Sequence, residues 1–266
     1  MKVLWLFAHP EQRSLSAALR DEGLRALADD GHEYQLSDLY AMGWNPIVDR
    51  TDFENHGKER LLVASASQEA YDGGTLSEDI RAEQEKLRWA DTVIVQFPFW
   101  WFGMPAILKG YFDRVFVKGF AYGVKNPQTG KTLRYGNGGL AGKRAMVIVN
   151  VGVPELQLGP RSVDGAMSDA LFNLEHGTLF YTGMTVVPPF VVASADRVSD
   201  KEYLALAAAL RERVRTLPTT EPIPFRTQDG GDYDENRLLR PEIEPGRTDV
   251  GIHYRPVSTA SSCTGS

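Results

Sequence analysis

The sequence predicts an α/β fold: a doubly wound five-stranded parallel sheet with helices on both faces, followed by an extended C-terminal arm. First, short runs rich in β-branched residues alternate with segments of helical spacing through residues 1–217. Second, several runs are apolar without interruption, as is typical of strands covered on both faces. Third, residues 218–266 hold six prolines and many charges but no sustained period. This favours an extended arm and flexible tail over a second domain.

Each predicted element follows from a local pattern. Five strands are predicted at Val3–Ala8, Glu33–Leu39, Thr92–Phe97, Ala145–Val151 and Thr185–Ala193. Pro188 and Pro189 should break the last of them, because proline has no N–H to donate to a ladder. Helices are predicted at Leu15–Ala28, Ser77–Ala90 with Ser77 as N-cap, Pro105–Val117, Val163–Tyr181 and Lys201–Thr216. Residues 41–75 lack a clear period and are expected to form an irregular excursion.

Composition excludes several function classes. Hydrophobic content of 42% and charged content of 24% are ordinary for a soluble globular protein. The net charge of -6 and the absence of a Lys/Arg block argue against nucleic acid as a partner. No apolar run reaches the ~18 residues of a membrane span, and "MKVLWLFAHP" is interpreted as a strand, not a signal peptide. The expected location is the cytoplasm. Cys263 is the only cysteine, so no disulfide forms within the chain and no metal site is predicted.

Ligands of open parallel α/β sheets bind outside the carboxyl ends of the strands. That rule singles out the loops His9–Ser16, Pro98–Gly103, Asn150–Leu158 and Ala193–Val198. The first, "HPEQRSLS", precedes a helix N-terminus, where backbone N–H groups and the hydroxyls of Ser14 and Ser16 suit a phosphate. It lacks both GxGxxG and GxxxxGK[ST], which disfavours a Rossmann dinucleotide site and a P-loop. Simple capping of the helix by Ser14 explains the loop equally well.

The second and third loops suggest a place for a flat molecule. "QFPFWWFG" sets aromatic rings at the carboxyl end of a buried strand, as a wall for a planar ring or as a hydrophobic cap on the core. In "NVGVPELQLGPRSVDG", Gly152 lets the backbone approach a ligand, or belongs to an ordinary strand–helix connection.

Four stretches carry a family resemblance over residues 1–217. They are "LFAHPEQRSLSAAL", "SDLYAMGWNPIVDRTDF", "LSEDIRAEQEKLRWADTVIVQFPFWWFGMPAILKGYFDRVFVKGFAYG" and "HGTLFYTGMTVVPPF". The chain resembles the flavodoxin-like NAD(P)H:quinone oxidoreductase family. The resemblance implies a homodimer with active sites at the interface. It also implies non-covalent FAD (favoured over FMN), NAD(P)H as hydride donor, and ping-pong transfer to a quinone or small aromatic substrate.

The resemblance also implies roles for individual residues. The FAD phosphates would be held by His9, Ser14, Leu15 and Ser16. The flavin ring would be bordered by Pro98, Phe99, Trp100, Trp101, Phe102, Asn150, Val151 and Gly152. The substrate side would be lined by Trp101, Phe102, Tyr122 and Tyr181, and Asp113 would lie near the partner's cofactor.

The chain departs from the family at a Tyr and a His thought to relay charge to the flavin. Aligned on "HGTLFYTG", these positions hold Leu158 and Asp164. Leu158 has no hydrogen-bonding group, and Asp164 is therefore the candidate catalytic residue, unless it caps the following helix. Val153 replaces a family glycine and narrows the pocket floor, and His176 is expected to be structural.

The departures keep two other functions open. One is a specialised flavoenzyme that modifies one aromatic natural product in a biosynthetic pathway. The other is a flavin-bound regulatory subunit of a potassium efflux system.

Overall fold

The computed structural model describes residues 1–53 and 60–256. Within them the strands are β1 (Lys2–Phe7), β2 (Glu33–Asp38), β3 (Thr92–Pro98), β4 (Arg144–Asn150), β5 (Thr185–Val186) and β6 (Phe190–Val192). All pairings are parallel, in the order β2-β1-β3-β4-β5, with β6 also on β4. The predicted doubly wound sheet is confirmed, and its direction reverses between β1 and β3, where such folds bind ligands.

The fifth predicted strand is present in two pieces. β5 and β6 lie on the same side of β4, separated by Pro188 and Pro189. The expected break is confirmed: neither proline can donate to the ladder.

The helices are α1 (Leu15–Asp29), α2 (Val63–Gly73), α3 (Glu78–Trp89), α4 (Ala106–Val115), α5 (Met167–Leu174) and α6 (Asp200–Thr216). Two predictions were wrong. Residues 41–75 were expected to be irregular, yet they contain α2, although residues 54–59 lie outside the described part. The helix predicted from Val163 begins only at Met167, and a π-helical segment, Glu175–Phe180, follows α5. None of the described helices combines the length and apolarity needed to cross a membrane.

The hydrophobic core has two layers, one on each face of the sheet. Alternate residues of β1 enter different layers, because side chains of a strand point to opposite faces. Leu4 and Leu6 belong to the layer that also contains residues of α3, α4 and α5. Trp5 belongs to the layer formed with α1 and α6. The described core thus encloses the sheet and leaves its carboxyl edge for the loops.

Residues 218–256 form the described part of the arm, which docks on the sheet domain. Its Ile223 N–H donates to the Val186 carbonyl at 2.8 Å, and Phe225 is buried with its ring 5.0 Å from that of His176. Buried Arg226 pairs with Asp232 at 3.0 Å. The boundary at residue 217 stays a prediction, and Cys263 lies outside the described residues.

Candidate active site

A buried glutamine joins the strands at the point where the sheet reverses. Gln96 on β3 is fully buried; its Oε1 accepts from Trp5 Nε1 at 2.9 Å, and its Nε2 donates to the Ser16 carbonyl at 2.7 Å. These bonds fix the first turn of α1 against β1 and β3. The loops after both strands are therefore held at one edge of the sheet.

The loop after β1 combines a helix cap with a half-buried imidazole. Ser14 Oγ accepts from the Ala17 N–H at 3.1 Å, so capping of α1 by Ser14 is confirmed. His9 Nδ1 accepts from the Glu11 N–H at 3.1 Å, and its ring lies 6.5 Å from that of Trp100. Burial lowers the pKa of His9, which favours the neutral imidazole. Leu15 is half-buried and Ser16 is buried.

The loop after β3 is a tight turn that carries two strained aromatic residues. Trp100 and Gly103 exchange two backbone hydrogen bonds of 3.0 Å. Between them, Trp101 has a φ of 50° and Phe102 a φ of 57°, in the left-handed region that bulky side chains rarely occupy. The side chains are also exposed, Trp101 at 99% and Phe102 at 63%. Strain and exposure together indicate a surface shaped for another molecule.

Beside this turn lies a cleft of about 270 Å³, here called the aromatic cleft. It brings together six of the predicted site residues and Leu158: Phe99, Trp101, Phe102, Val151, Gly152, Asp164 and Leu158. A Cβ on Gly152 would meet only Asp196 Oδ1, at 3.8 Å. The protein's own packing therefore does not require a glycine there, and the space is left for a ligand.

Asn150, which directly precedes the cleft-lining Val151, carries a buried polar group without a partner. It ends β4, is 6% exposed, and its side-chain Oδ1 and Nδ2 are buried without a hydrogen bond to any described residue. A buried amide in this state is costly. A ring edge that carries both N–H and C=O groups would satisfy both atoms, and a flavin has such an edge.

Asp164 faces the cleft without a partner of its own. Its N–H donates to Ser162 Oγ at 3.2 Å, while its carboxylate forms no hydrogen bond or ion pair with the described residues. The helix-cap alternative was wrong: Ala166 occupies the N-cap position of α5, and no side chain caps that helix.

Comparison with known proteins identifies the family. A family model described as a flavodoxin-like fold matches residues 1–215. The ribosyldihydronicotinamide dehydrogenase-like protein traD of Penicillium crustosum is 46% identical over 261 residues, covering 96% of each chain. NAD(P)H dehydrogenase [quinone] 1 of Rattus norvegicus is 34% identical over 247 residues, covering 91% of this chain and 88% of the relative. The chain belongs to the flavodoxin-like NAD(P)H:quinone oxidoreductase family.

A solved structure shows how fully this family member shares the fold. The crystal structure of a putative quinone reductase from Klebsiella pneumoniae superposes with a TM-score of 0.92 at 47% identity. The match covers 96% of this chain and 100% of that one. Because 96% of the chain is matched, most of residues 218–266 lie within the match.

Several predicted site residues of this oxidoreductase-family chain lie outside the aromatic cleft. Pro98 is buried at the end of β3. Tyr181 packs edge-on against Tyr135 at 5.1 Å, and Tyr122 lies near Ser67 of α2. Asp113 forms an exposed ion pair of 2.5 Å with Lys109 on α4. A single chain therefore does not bring the two tyrosines or Asp113 to the cleft.

The sequence reasoning missed one wall of the cleft. Gly165, Ala166, Met167 and Ala170 line it from the start of α5. These residues were assigned to a helix interior because the predicted helix began too early. The adjacent small residues Gly165 and Ala166 were the available signal for a helix start at this point. Across residues 1–53 and 60–256, no group of three or more His, Cys, Asp or Glu side chains is placed to hold a metal ion.

Proposed function

We propose that this protein is an FAD-dependent oxidoreductase that transfers hydride from NAD(P)H to a quinone or related aromatic acceptor. The observation that carries the proposal is the strained, exposed Trp101–Phe102 turn beside the aromatic cleft, together with the unpaired, buried amide of Asn150, which directly precedes the cleft-lining Val151. The named activities of the relatives support it. Ping-pong kinetics, a cytoplasmic location and a homodimer with active sites at the interface are part of the proposal.

The residues present fit a flavin. The N-terminus of α1, with His9, Ser14, Leu15 and Ser16, would hold the phosphates, because helix N-termini favour anions. Phe99, Trp100, Trp101 and Phe102 would border the ring with Pro98 and the Asn150–Gly152 backbone. The flavin, when bound, supplies the two-electron hydride chemistry, and the protein supplies orientation and electrostatics.

The chain's own groups act by position and by excluding water. Exposed Trp101 and Phe102 provide flat apolar surface against which aromatic reactants stack, and a dry slot strengthens the electrostatics within it. The polar edge of the ring would satisfy the unpaired Asn150 amide. Leu158 adds an apolar wall where relatives hold a hydrogen-bond donor, so this cleft has less support for developing negative charge.

Spectroscopy of the purified protein tests the proposal. We expect yellow protein that releases FAD on denaturation, bleaches with NADPH and recolours with a simple quinone. Colour without bleaching would contradict the proposed activity, whereas bleaching would exclude a purely regulatory flavin-binding subunit. If the released flavin is FMN, only the cofactor assignment changes and the proposed activity stands.

A second candidate is a specialised flavoenzyme acting on one aromatic compound. The apolar Leu158 and the unpaired Asp164 in the cleft favour it. Leu158 cannot stabilise negative charge on a general acceptor, whereas the Asp164 carboxylate can accept a hydrogen bond from a particular substrate. Leu158→Tyr separates the two candidates. If the variant turns over simple quinones faster, the protein is a general reductase that Leu158 weakens. If turnover is unchanged and the wild type accepts few compounds in a substrate screen, the specialised enzyme is supported.

A further inference from the structure

A second cleft, of about 540 Å³, lies between residues 131–134 and residues 228–240 of the arm. We call it the arm cleft. Its first wall follows a short hairpin, in which Lys125 and Thr132 form an antiparallel bridge. The two walls are about a hundred residues apart in sequence, so the cleft exists only because the arm docks on the sheet domain.

Four basic side chains line the arm cleft: Lys131, Arg134, Arg237 and Arg240. None of them forms an ion pair with a described carboxylate, whereas Arg226, Arg247 and Arg255 of the same arm are all paired, at 3.0, 2.7 and 3.2 Å. Arg240 Nε donates to the Gly231 carbonyl within the arm at 2.9 Å. The side chains of Lys131, Arg134 and Arg237 have no hydrogen-bond or ion-pair partner among the described residues, which indicates that these three charges are available to a ligand.

Two buried polar atoms at the arm cleft also lack partners. Arg134 Nε and Gln228 Oε1 are both buried without a hydrogen bond to any described residue. An unsatisfied buried group costs more than a satisfied one gains, so these atoms indicate a polar ligand. A guanidinium presents its N–H groups as a planar fork that matches carboxylate and phosphate oxygens.

The acidic residues of the arm cleft do not neutralise this set. Asp229 accepts from Asn137 Nδ2 at 3.2 Å. Asp234 Oδ1 accepts from the backbone N–H groups of Asn236 at 2.9 Å and Leu238 at 2.8 Å. Both carboxylates keep their charge, so with Glu235 three acids face four cations, and the arm cleft has one positive charge in excess. None of the three acids forms an ion pair with any of the four cations.

Tyr135 connects the arm cleft to one of the predicted substrate residues, Tyr181. Burial raises the pKa of Tyr135, and the nearby charges of Arg134 and Arg237 oppose that rise. The Tyr135 ring in turn contacts that of Tyr181 at 5.1 Å. A ligand that lies against Tyr181 can therefore extend an anionic end toward Arg134.

We propose that the arm cleft is an anion-binding site that takes a phosphate or carboxylate group, held mainly by Arg134 and Arg237. Placing that group on one of the reactants rests on the proposed function. The two sources are a phosphate of the nicotinamide donor and a carboxylate on the aromatic acceptor.

Calorimetric titration of the full-length protein with pyrophosphate at low salt tests the site independently of turnover. We expect saturable binding that Arg134→Gln and Arg237→Gln each weaken about tenfold, as for the loss of one charge-assisted hydrogen bond. The matched control is Arg247→Gln, which removes an exposed arm arginine that is paired with Asp249 and lies outside the cleft. Absent binding, or equal weakening by all three variants, overturns the proposal. If Arg134→Gln fails to fold, Arg237→Gln still tests the site, because Arg237 is exposed.

Steady-state kinetics then identify the source. If the anion belongs to the donor, Arg134→Gln raises KM for NADPH more than for NADH. If it belongs to the acceptor, the variant raises KM for a carboxylated naphthoquinone but not for menadione. If Arg134→Gln weakens pyrophosphate binding but changes neither KM, the anion site stands and its assignment to a reactant is wrong. An inactive wild-type protein would contradict the proposed function, and the titration would still decide whether the site exists.

Discussion

Trp101 and Phe102 hold backbone conformations that glycine would adopt without strain. Their side chains bury little, so the folded chain gains little in return. We predict that Trp101→Gly raises the stability of the flavin-free protein by about 1 kcal/mol, because the strain disappears. The same change should weaken flavin retention, because one wall of the aromatic cleft is lost. Thermal unfolding of the flavin-free protein and flavin titration measure the two effects.

Val163→Gly is the matched control. Val163 is fully exposed but has no positive φ, so this glycine should not stabilise the protein. A loss of stability in Trp101→Gly as large as that in Val163→Gly would show that the turn is not strained.

Asn150 allows stability and binding to be separated at one position. We predict that Asn150→Leu leaves the flavin-free protein as stable or makes it more stable, because an apolar group of similar size replaces an unsatisfied amide. Flavin content after purification should fall at least tenfold. Full flavin occupancy in the variant would show that the Asn150 amide does not contact the cofactor.

At the scale of elements, the π-helical segment Glu175–Phe180 joins the arm to the sheet domain. His176 stacks between Phe172, at 4.5 Å, and Tyr135, at 4.9 Å, and also faces His253 of the arm at 5.5 Å. The expectation that His176 is structural agrees with this packing. Glu175 is buried, and its Oε1 has no partner in the described chain.

Burial shifts both groups toward their neutral forms. It lowers the pKa of His176 to about 4, with a contribution from His253, and raises the pKa of Glu175 to about 8. Below the ordinary histidine value of 6.5, the unfolded chain takes up a proton that folded His176 refuses, so stability falls toward pH 4. Above the ordinary glutamate value of 4.5, unfolded Glu175 loses a proton that the folded group keeps, so stability falls toward pH 8. Between pH 4.5 and pH 6.5 the two contributions to the pH dependence of stability cancel.

We therefore predict that Glu175→Gln loses less stability than the wild type as the pH rises from 6.5 toward 8. The difference should be about 1–2 kcal/mol, given that one pH unit is worth at most ~1.4 kcal/mol per proton. Urea unfolding at the two pH values measures it. Glu85→Gln, at an exposed carboxylate on α3, should leave the pH dependence as in the wild type, and the same result for Glu175→Gln would contradict the prediction.

The elements show where sequence patterns succeed and where they do not. Strands β1, β3 and β4 were predictable within one or two residues, because both faces are buried and the runs are apolar. Helix α2 follows Leu62, which offers no side-chain cap, so no start signal marked it. The change from α5 to a π-helix keeps every residue helical, and spacing alone does not show it.

At the scale of the whole molecule, the aromatic cleft was predictable only in part. The rule that ligands bind at the carboxyl edge placed Phe99, Trp101 and Gly152 together correctly. The left-handed turn was not predictable, since glycine would be expected at Trp101 and Phe102. The arm cleft depends on contacts between distant segments, which composition does not reveal.

Subunit mixing tests whether a second chain completes the aromatic cleft. Asn150→Leu is predicted to empty its own cleft, and Tyr181→Ala should remove the group given to the partner. If the sites are shared, a hybrid dimer has one intact site, and co-expression should restore roughly a quarter of wild-type activity, because half the dimers are hybrids. Sedimentation should show two chains per particle. If the co-expressed variants are no more active than each variant alone, Tyr181 acts on the cleft of its own chain.

The two prolines between β5 and β6 have a consequence for behaviour in concentrated solution. An uncovered strand edge is a template on which other molecules add strands and aggregate. Pro188 and Pro189 have no N–H groups to offer, and the Ile223 N–H occupies the Val186 carbonyl next to them. Around these prolines the sheet offers few free backbone groups for strand addition, which disfavours the merging of sheets between two copies that meet here.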